Sequence, residues 1–554
     1  MKKQFAIIFI IASMFGLNFP AFSQSCTSAT CNAASPNESD FLAALPSSGN
    51  SNSTVVVNIP AGTASWTGNL TYTVPAAVTN LTIQGATSVN CTGTPGTSGY
   101  ACSATDRTVI QDSYAVNGPS ILKIITGSSA TKFRMTGLTV QGGSIGTASN
   151  NKYGVVVIGG STQNLRFDHN HINNNTYSPA TISAWVLVGG SIVGVMDHNL
   201  VDLGSNTSDA NGFLAFNTVG DQIGNGDGTW AAASGFGTNK FLFMEDNVFN
   251  GGYSDDCTFA GKFVSRYNYF NNNTSAVQTH ATKSSAGPER GCRAFEVYHN
   301  YFTRNSPGDA PIGTKVGTGL VWGNTLAAGT YYNFFAAVVD RNAVTTETNT
   351  PSGWGYCGTT MNSNGVGSGW DGNINNGYPC LDGVGRGQTQ QALNGANFPG
   401  RLNSSTGTIS WPHQYLEPVY LWNNTVSSGN VLSIRDNITT VNRDIYADCG
   451  GANSGCSGSF NGTQGTGYGP LSNRPSSCTA GPGGTYFTSP TGSYGVAYFA
   501  SDANGGNGEL YACTSTNTWT PIYQPYTYPH PLVSGNSTQA ATPPAPTNLV
   551  STVY

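Results

Sequence analysis

The sequence predicts an all-β solenoid, a chain wound through stacked coils of short parallel strands, and three observations carry that expectation. First, seven short runs of large apolar residues each end at an Asn, namely Asn170, Asn199, Asn247, Asn268, Asn300, Asn324 and Asn424, and each Asn is followed within two residues by another apolar side chain. Second, successive marker Asn residues lie 29, 48, 21, 32, 24 and 100 positions apart. Most of these steps fall in the window of about 20 to 50 residues where one repeat is one coil, and the larger ones hold extra coils or insertions. Third, charged residues make up only 9% of the 554-residue chain, while 71 glycines supply corners. Stacked coils bring equivalent residues to about 4.8 Å, where a column of like charges repels itself. An Asn column can instead pass amide hydrogen bonds from coil to coil, and Asn tolerates the left-handed backbone of a tight corner. Disorder is the competing reading of such a composition, but 38% hydrophobic residues can bury a long core.

The alternation of strands with Asn corners, together with the opening Ser53-Thr-Val-Val-Val-Asn-Ile-Pro-Ala-Gly62, resembles the right-handed parallel β-helix of pectate-lyase-like proteins. The resemblance covers about residues 36 to 330, with one more coil near 417 to 447. It implies an all-β, right-handed parallel β-helix with an N-terminal capping helix and long loop insertions. Activity does not follow from it, because lyases, hydrolases, esterases and inert surface proteins share that architecture.

From the N-terminus, Met1-Lys-Lys leads into an apolar stretch from Phe5 to Leu17 and then Ala21-Phe22-Ser23, the pattern of a Sec-type bacterial signal peptide ending at Ser23. The expected destination is the cell exterior or surface, without membrane insertion, since no second apolar stretch approaches the roughly 18 residues a spanning helix needs. The β-helix domain then runs over 24–532. Asn37-Glu-Ser-Asp40 precedes apolar residues at helical spacing, which predicts a short helix over the open end of the solenoid. Coils occupy about 54–330. An insertion rich in Gly, Asn, Ser and Thr fills about 340–416, and a coil resumes at 417–447. Residues 449–484 read as loop. Tyr494–Ala500 and Glu509–Thr514 read as a hairpin, and Trp519–Pro531 is an aromatic segment too proline-rich for a central strand, so that a hairpin and aromatic region spans about 484–532. Residues 533–554 are a linker or remnant tail.

Twelve cysteines fit an oxidising destination. Connectivity is open from sequence; pairing neighbours in order joins Cys26 with Cys31, Cys91 with Cys102, Cys257 with Cys292, Cys357 with Cys380, Cys449 with Cys456 and Cys478 with Cys513.

Chemistry concentrates where the charge balance reverses. The whole chain is mildly acidic, with 22 basic and 27 acidic residues, yet 262–304 holds six basic residues, Lys262, Arg266, Lys283, Arg290, Arg293 and Arg304, against Glu289 and Glu296. A Cys257–Cys292 bridge would bring Asp255 and Asp256 toward Arg290 and Arg293. In a polysaccharide lyase, a cation neutralises the uronate carboxylate while a base removes the neighbouring proton. Arg290 or Arg293 would neutralise, His280 or Lys283 would be the base, Lys262 and Arg266 would hold the anionic chain, and Asp255 with Asp256 would bind Ca²⁺. Two other readings stand beside this one. A non-catalytic adhesion protein would use the basic groove only to hold glycan; a purely structural reading of Arg290, Arg293 and Glu289 makes them a surface ion-pair network around the disulfide. An inverting glycoside hydrolase of the polygalacturonase type is suggested by Asp255-Asp256-Cys257, although the Gly-His-Gly and Arg-x-Lys motifs of that group are absent. Asp168-His169 and Asp197-His198 recur at equivalent turn positions, which predicts corner hydrogen bonding in place of metal ligation. No basic run or flanked glycine loop points to nucleic acid or nucleotide.

Overall fold

The computed structural model describes residues 25–116, 119–128, 130–143, 151–152, 154–174, 181–182, 184–204, 211–216, 227–280, 291–337, 382–389, 414–426, 429–435, 439–483, 489 and 492–534. The expected signal peptide, the tail beyond 534 and the Cys357–Cys380 pairing lie outside them.

Three long parallel sheets, of 12, 10 and 10 strands, dominate the described residues. The chain visits them in a fixed order: one circuit runs through Lys262–Arg266 of the first sheet, Tyr269–Asn271 of the second and Ser275–Gln278 of the third, and the next begins at Ala294–Tyr298, again in the first. This arrangement is compatible with a parallel β-helix. Alternate residues of each strand point to opposite faces, and the inward sets line up in register. One column of the first sheet reads Val57, Ile83, Met135, Phe167, Met196, Met244, Ser265, Val297, Val321 and Leu421. The second sheet contributes stacked Phe249, Phe270 and Phe302, with ring centroids 5.0 Å apart at each step. Together these side chains form one continuous core from Cys31 to Ala447.

All seven marker Asn residues join a single ladder, buried at every rung but the half-buried Asn424. Asn268 donates its backbone N–H and its side-chain Nδ2 to Asn300 Oδ1 at 2.9 and 3.1 Å. The same pair of hydrogen bonds links Asn170 to Asn199, Asn199 to Asn247, Asn247 to Asn268, Asn300 to Asn324 and Asn324 to Asn424. Asn247, Asn268 and Asn300 sit on consecutive circuits, as their spacing predicts. One detail differs from expectation. The left-handed residue is the one before each marker, with φ of 52° at His169, 54° at His198, 58° at Asp246, 56° at Tyr267, 55° at His299 and 53° at Asn423. The Asn is kept for hydrogen bonding, and its predecessor makes the corner.

A helix spans Glu38–Ala44 and buries Phe41 edge-on to Trp66 at 5.2 Å. Asn37 occupies its N-cap without a capping side-chain bond; Ser35 Oγ instead bonds Asp40 Oδ2 at 2.6 Å. Within the insertion, residues 382–389 and 414–416 are described, and Arg386–Thr389 pairs antiparallel with Gln414–Leu416. The circuit resumes at Val419–Trp422, alongside Thr318–Trp322. The segment after Cys449, read as loop, holds a strand at Thr466–Gly469. That strand joins Ala497–Ala500, Glu509–Ser515 and Thr518–Tyr523 in a four-stranded sheet. Pro521 is accommodated because Thr518–Tyr523 is an edge strand. Five of the in-order disulfides are present: Cys26–Cys31, Cys91–Cys102, Cys257–Cys292, Cys449–Cys456 and Cys478–Cys513. No helix among the described residues is long and apolar enough to cross a membrane.

Candidate functional site

The residues singled out around Cys257–Cys292 are brought near one another but not into one groove. Asp255 is in register with Phe213 and Val277, both core residues, so it points inward. Ser265 Oγ donates to it at 2.5 Å, and burial, with Asp256 nearby, pushes its carboxyl up to about 8. Asp256, the next residue, faces the other way. Its Oδ2 lies 2.6 Å from His280 Nδ1. Two carboxylates on opposite faces of a strand cannot share one cation, which corrects the expected Asp255–Asp256 pair of Ca²⁺ ligands.

The two described arginines are also not surface groups. Arg293 is fully buried, 3.0 Å from Glu417 and 5.1 Å over the Trp230 ring. Arg266 is fully buried: it bonds Glu245 at 2.5 Å and Tyr298 Oη at 2.7 Å, and donates to the carbonyls of Tyr526 and Thr527 at 2.9 Å each. A guanidinium so enclosed has no donor face left for a polymer in solution, so the expected substrate contact at Arg266 is replaced by an internal one. Lys262 is half-buried over the Phe241 ring, and burial, with Arg293 and Lys240 nearby, lowers its amine to about 8. Lys283 and Arg290 lie outside the described residues.

What covers Arg266 builds a different site. The four-stranded sheet and the segment after it pack on the outer face of the first sheet, enclosing a second apolar cluster that includes Phe243, Val264, Tyr298, Trp322, Trp422 and Phe499. Beneath that cover Glu296 receives Gly237 N–H at 2.8 Å and Tyr523 O–H at 2.9 Å. Burial pushes its carboxyl up to about 7. Past the edge of the cover, a cleft of about 640 Å³ opens. Tyr267, Tyr298, Trp322, Tyr468, Phe499 and Tyr528 contribute aromatic rings to its lining; Tyr298, Trp322 and Phe499 are buried against one another, and Tyr468 and Tyr528 are the exposed ones. Tyr528 stacks on Tyr267 with centroids 3.6 Å apart and donates its hydroxyl to Asp246 at 2.7 Å. Tyr468 is 47% exposed. His299 also lines the cleft, and burial lowers its imidazole. Carboxamides of Asn239, Asn423, Asn504, Asn507 and Gln524 complete the lining, which holds no Asp, Glu, Lys or Arg.

Such a surface pairs apolar ring faces with groups that both donate and accept hydrogen bonds. It suits a ligand that alternates C–H faces with hydroxyls. Sequence reading missed the site because its halves are far apart in the chain. The available signal was Trp322 and Trp422, each two residues before its marker Asn. The corner histidines behave as expected: His169 and His198 bond Asp168 and Asp197 at 2.9 and 3.0 Å and stack with centroids 5.2 Å apart. No family model, curated protein or solved structure matches the chain.

Proposed function

We propose that the protein is a right-handed parallel β-helix, capped at its N-terminal end by the Glu38–Ala44 helix, that acts outside the cell as a carbohydrate-binding protein. The observation that carries this reading is the lining of the 640 Å³ cleft: exposed Tyr468 and Tyr528, carboxamides, and no Asp, Glu, Lys or Arg. That lining favours an extended neutral glycan over the anionic polymer suggested by the local charge balance, because it holds no Asp, Glu, Lys or Arg, and Arg266 and Arg293 are enclosed elsewhere. The disulfides fit an oxidising, extracellular setting. Tyr468→Ala removes one exposed ring and leaves the core intact. It should weaken binding of neutral hexasaccharides by about five- to tenfold, the range of one aromatic contact. Unaltered affinity would remove the cleft from the reading.

A second reading, β-elimination of a uronate polymer, is favoured by the 2.6 Å His280–Asp256 contact, which resembles a base held by an orienting carboxylate. Incubation with a panel of uronate polymers, following the ultraviolet absorbance of the unsaturated product, tests it. Turnover that His280→Ala abolishes supports the lyase, and absence of turnover across the panel leaves the binding protein.

A further inference from the structure

A second cavity lies on a different sheet. About 560 Å³ in volume, it is a trough on the outer face of the second sheet, lined by Asp202, Asn250, Asn271, Asn272, Arg304 and Ser306 among others. Gly204, Gly251 and Gly252 also line it; Gly251 has φ of 77°, and a Cβ there would strike the Gly204 carbonyl of the neighbouring circuit, so the two backbones approach closely. Along one side runs a fixed chain of hydrogen bonds. Asn271 Nδ2 donates to Asn250 Oδ1 at 3.0 Å, and Asn250 Nδ2 donates to Asp202 Oδ1 at 2.6 Å. Asp202 Oδ2 is 3.0 Å from His171 Nε2, whose Nδ1 lies 2.8 Å from Asp106. Burial pushes the His171 imidazole down, but Asp202 and Asp106 raise it overall. Beside the chain, on the same face as Asn271, Tyr269 stacks on Tyr301 with centroids 5.7 Å apart.

The charges here are already engaged. Asp202 is held by His171 and Asn250, and Arg304 donates to the Asn273 carbonyl at 3.0 Å over the Tyr331 ring. A free ion therefore has little to gain. The carboxamides differ: each has two N–H donors and a carbonyl acceptor, and the chain uses one N–H of each, plus the Asn250 carbonyl. The remaining capacity sits on successive circuits, with the side chains ordered before any ligand arrives, which lowers the entropic cost of binding.

We infer that this trough is a second glycan site, taking a neutral, hydroxyl-rich saccharide, so that one rigid molecule holds saccharide on two faces. The inference borrows from the cleft reading only the class of ligand. Calorimetric titration of the full chain with β(1→4)-linked hexaoses of glucose, mannose and xylose tests it. At least one of the three should occupy two sites. Ser306→Trp fills the trough from an exposed position without touching the hydrogen-bond chain, and should remove one site while Tyr468→Ala weakens the other. Asn250→Ala with Asn271→Ala should weaken the trough site by about tenfold or more, the loss of one to two net hydrogen bonds. An unchanged unfolding midpoint in Ser306→Trp guards against a folding defect. A single site lost only with Tyr468→Ala would overturn the trough and leave the cleft standing. A single site lost only with Ser306→Trp would do the reverse, and no binding by any hexaose would overturn both.

Discussion

One outward column of the first sheet changes character midway along its length. It reads Asp168, Asp197 and Glu245, then Arg266, and then Tyr298, Trp322 and Trp422. In the first half, three acids sit on neighbouring strands, which like-charge repulsion forbids unless each has a cation. Arg134 bonds Asp168 at 2.6 Å, Arg166 bonds Asp197 at 2.9 Å, and Arg266 bonds Glu245 at 2.5 Å. In the second half the rings stack, Tyr298 on Trp322 at 4.6 Å and Trp322 on Trp422 at 5.6 Å. The first half is fastened by ion pairs, partly exposed at Arg134 and fully buried at Glu245. The second is roofed by a separate sheet and opens into the cleft. A repeated backbone thus carries two surfaces of different chemistry, and Arg266 is where they meet.

Replacing Arg266 should break that junction with the largest effect. Arg266→Met leaves Glu245 buried without its cation and releases the carbonyls of Tyr526 and Thr527. Loss of about 3 to 5 kcal/mol is expected, measured by urea unfolding. The pair Glu245→Gln with Arg266→Met should recover much of it, since no buried charge then remains. Failure of the double variant to recover would mean that Arg266 acts through the covering segment and not through Glu245.

The same residue shows how far the sequence could be read. The Asn ladder was legible because each rung repeats the same local pattern, so periodicity alone located it. Disulfide order was legible for five pairs because each closes a local loop. The burial of Arg266 and Arg293 was not legible, because their partners, Tyr526, Thr527 and Glu417, lie more than a hundred residues downstream. Asp255 and Asp256 misled for a different reason: adjacency in a strand puts neighbours on opposite faces, and the inward register was set by Phe213 and Val277 on flanking circuits. The cleft needs both Trp322 and Tyr528, joined only by tertiary packing.

The two halves should also respond to pH in opposite directions. Burial raises the Asp168 carboxyl, but its bonds to Arg134 and His169 dominate and hold it well below the usual carboxylate range. Its stabilising contribution is present above about pH 4 and is lost as pH falls below that value. Glu296, under the roof, is pushed by burial up to about 7. Its contribution is present below about pH 4 and is lost as pH rises from there through about 7, because the native state holds a proton the unfolded chain releases. The size is on the order of 3 kcal/mol. Glu296→Gln should make the fall in stability between about pH 5 and 8 shallower, whereas Asp168→Asn should leave that range alone and make the acid limb shallower, as read from urea unfolding across about pH 2 to 8. A Glu296→Gln profile parallel to the parent's would show that this carboxyl does not titrate with folding.

The smallest effect should come from the exposed end of the ionic half. Whereas Arg266 places Nε and Nη2 on the single Oε2 of Glu245, Arg134 grips both carboxylate oxygens of Asp168, Nε to Oδ1 at 2.7 Å and Nη2 to Oδ2 at 2.6 Å. Two circumstances reduce its weight. Its side chain is 41% exposed, so water and salt screen the pair. Asp168 also keeps other partners after Arg134 is removed: Arg166 Nε at 3.5 Å, Thr136 Oγ at 3.2 Å and His169 Nδ1 at 2.9 Å. Arg134→Gln should therefore cost less than about 1 kcal/mol, and the difference from the parent should shrink as salt rises toward about 1 M. A loss equal to that of Arg266→Met would mean that burial does not separate the two arginines, and the contrast between the halves of the column would then rest on the aromatic stack alone.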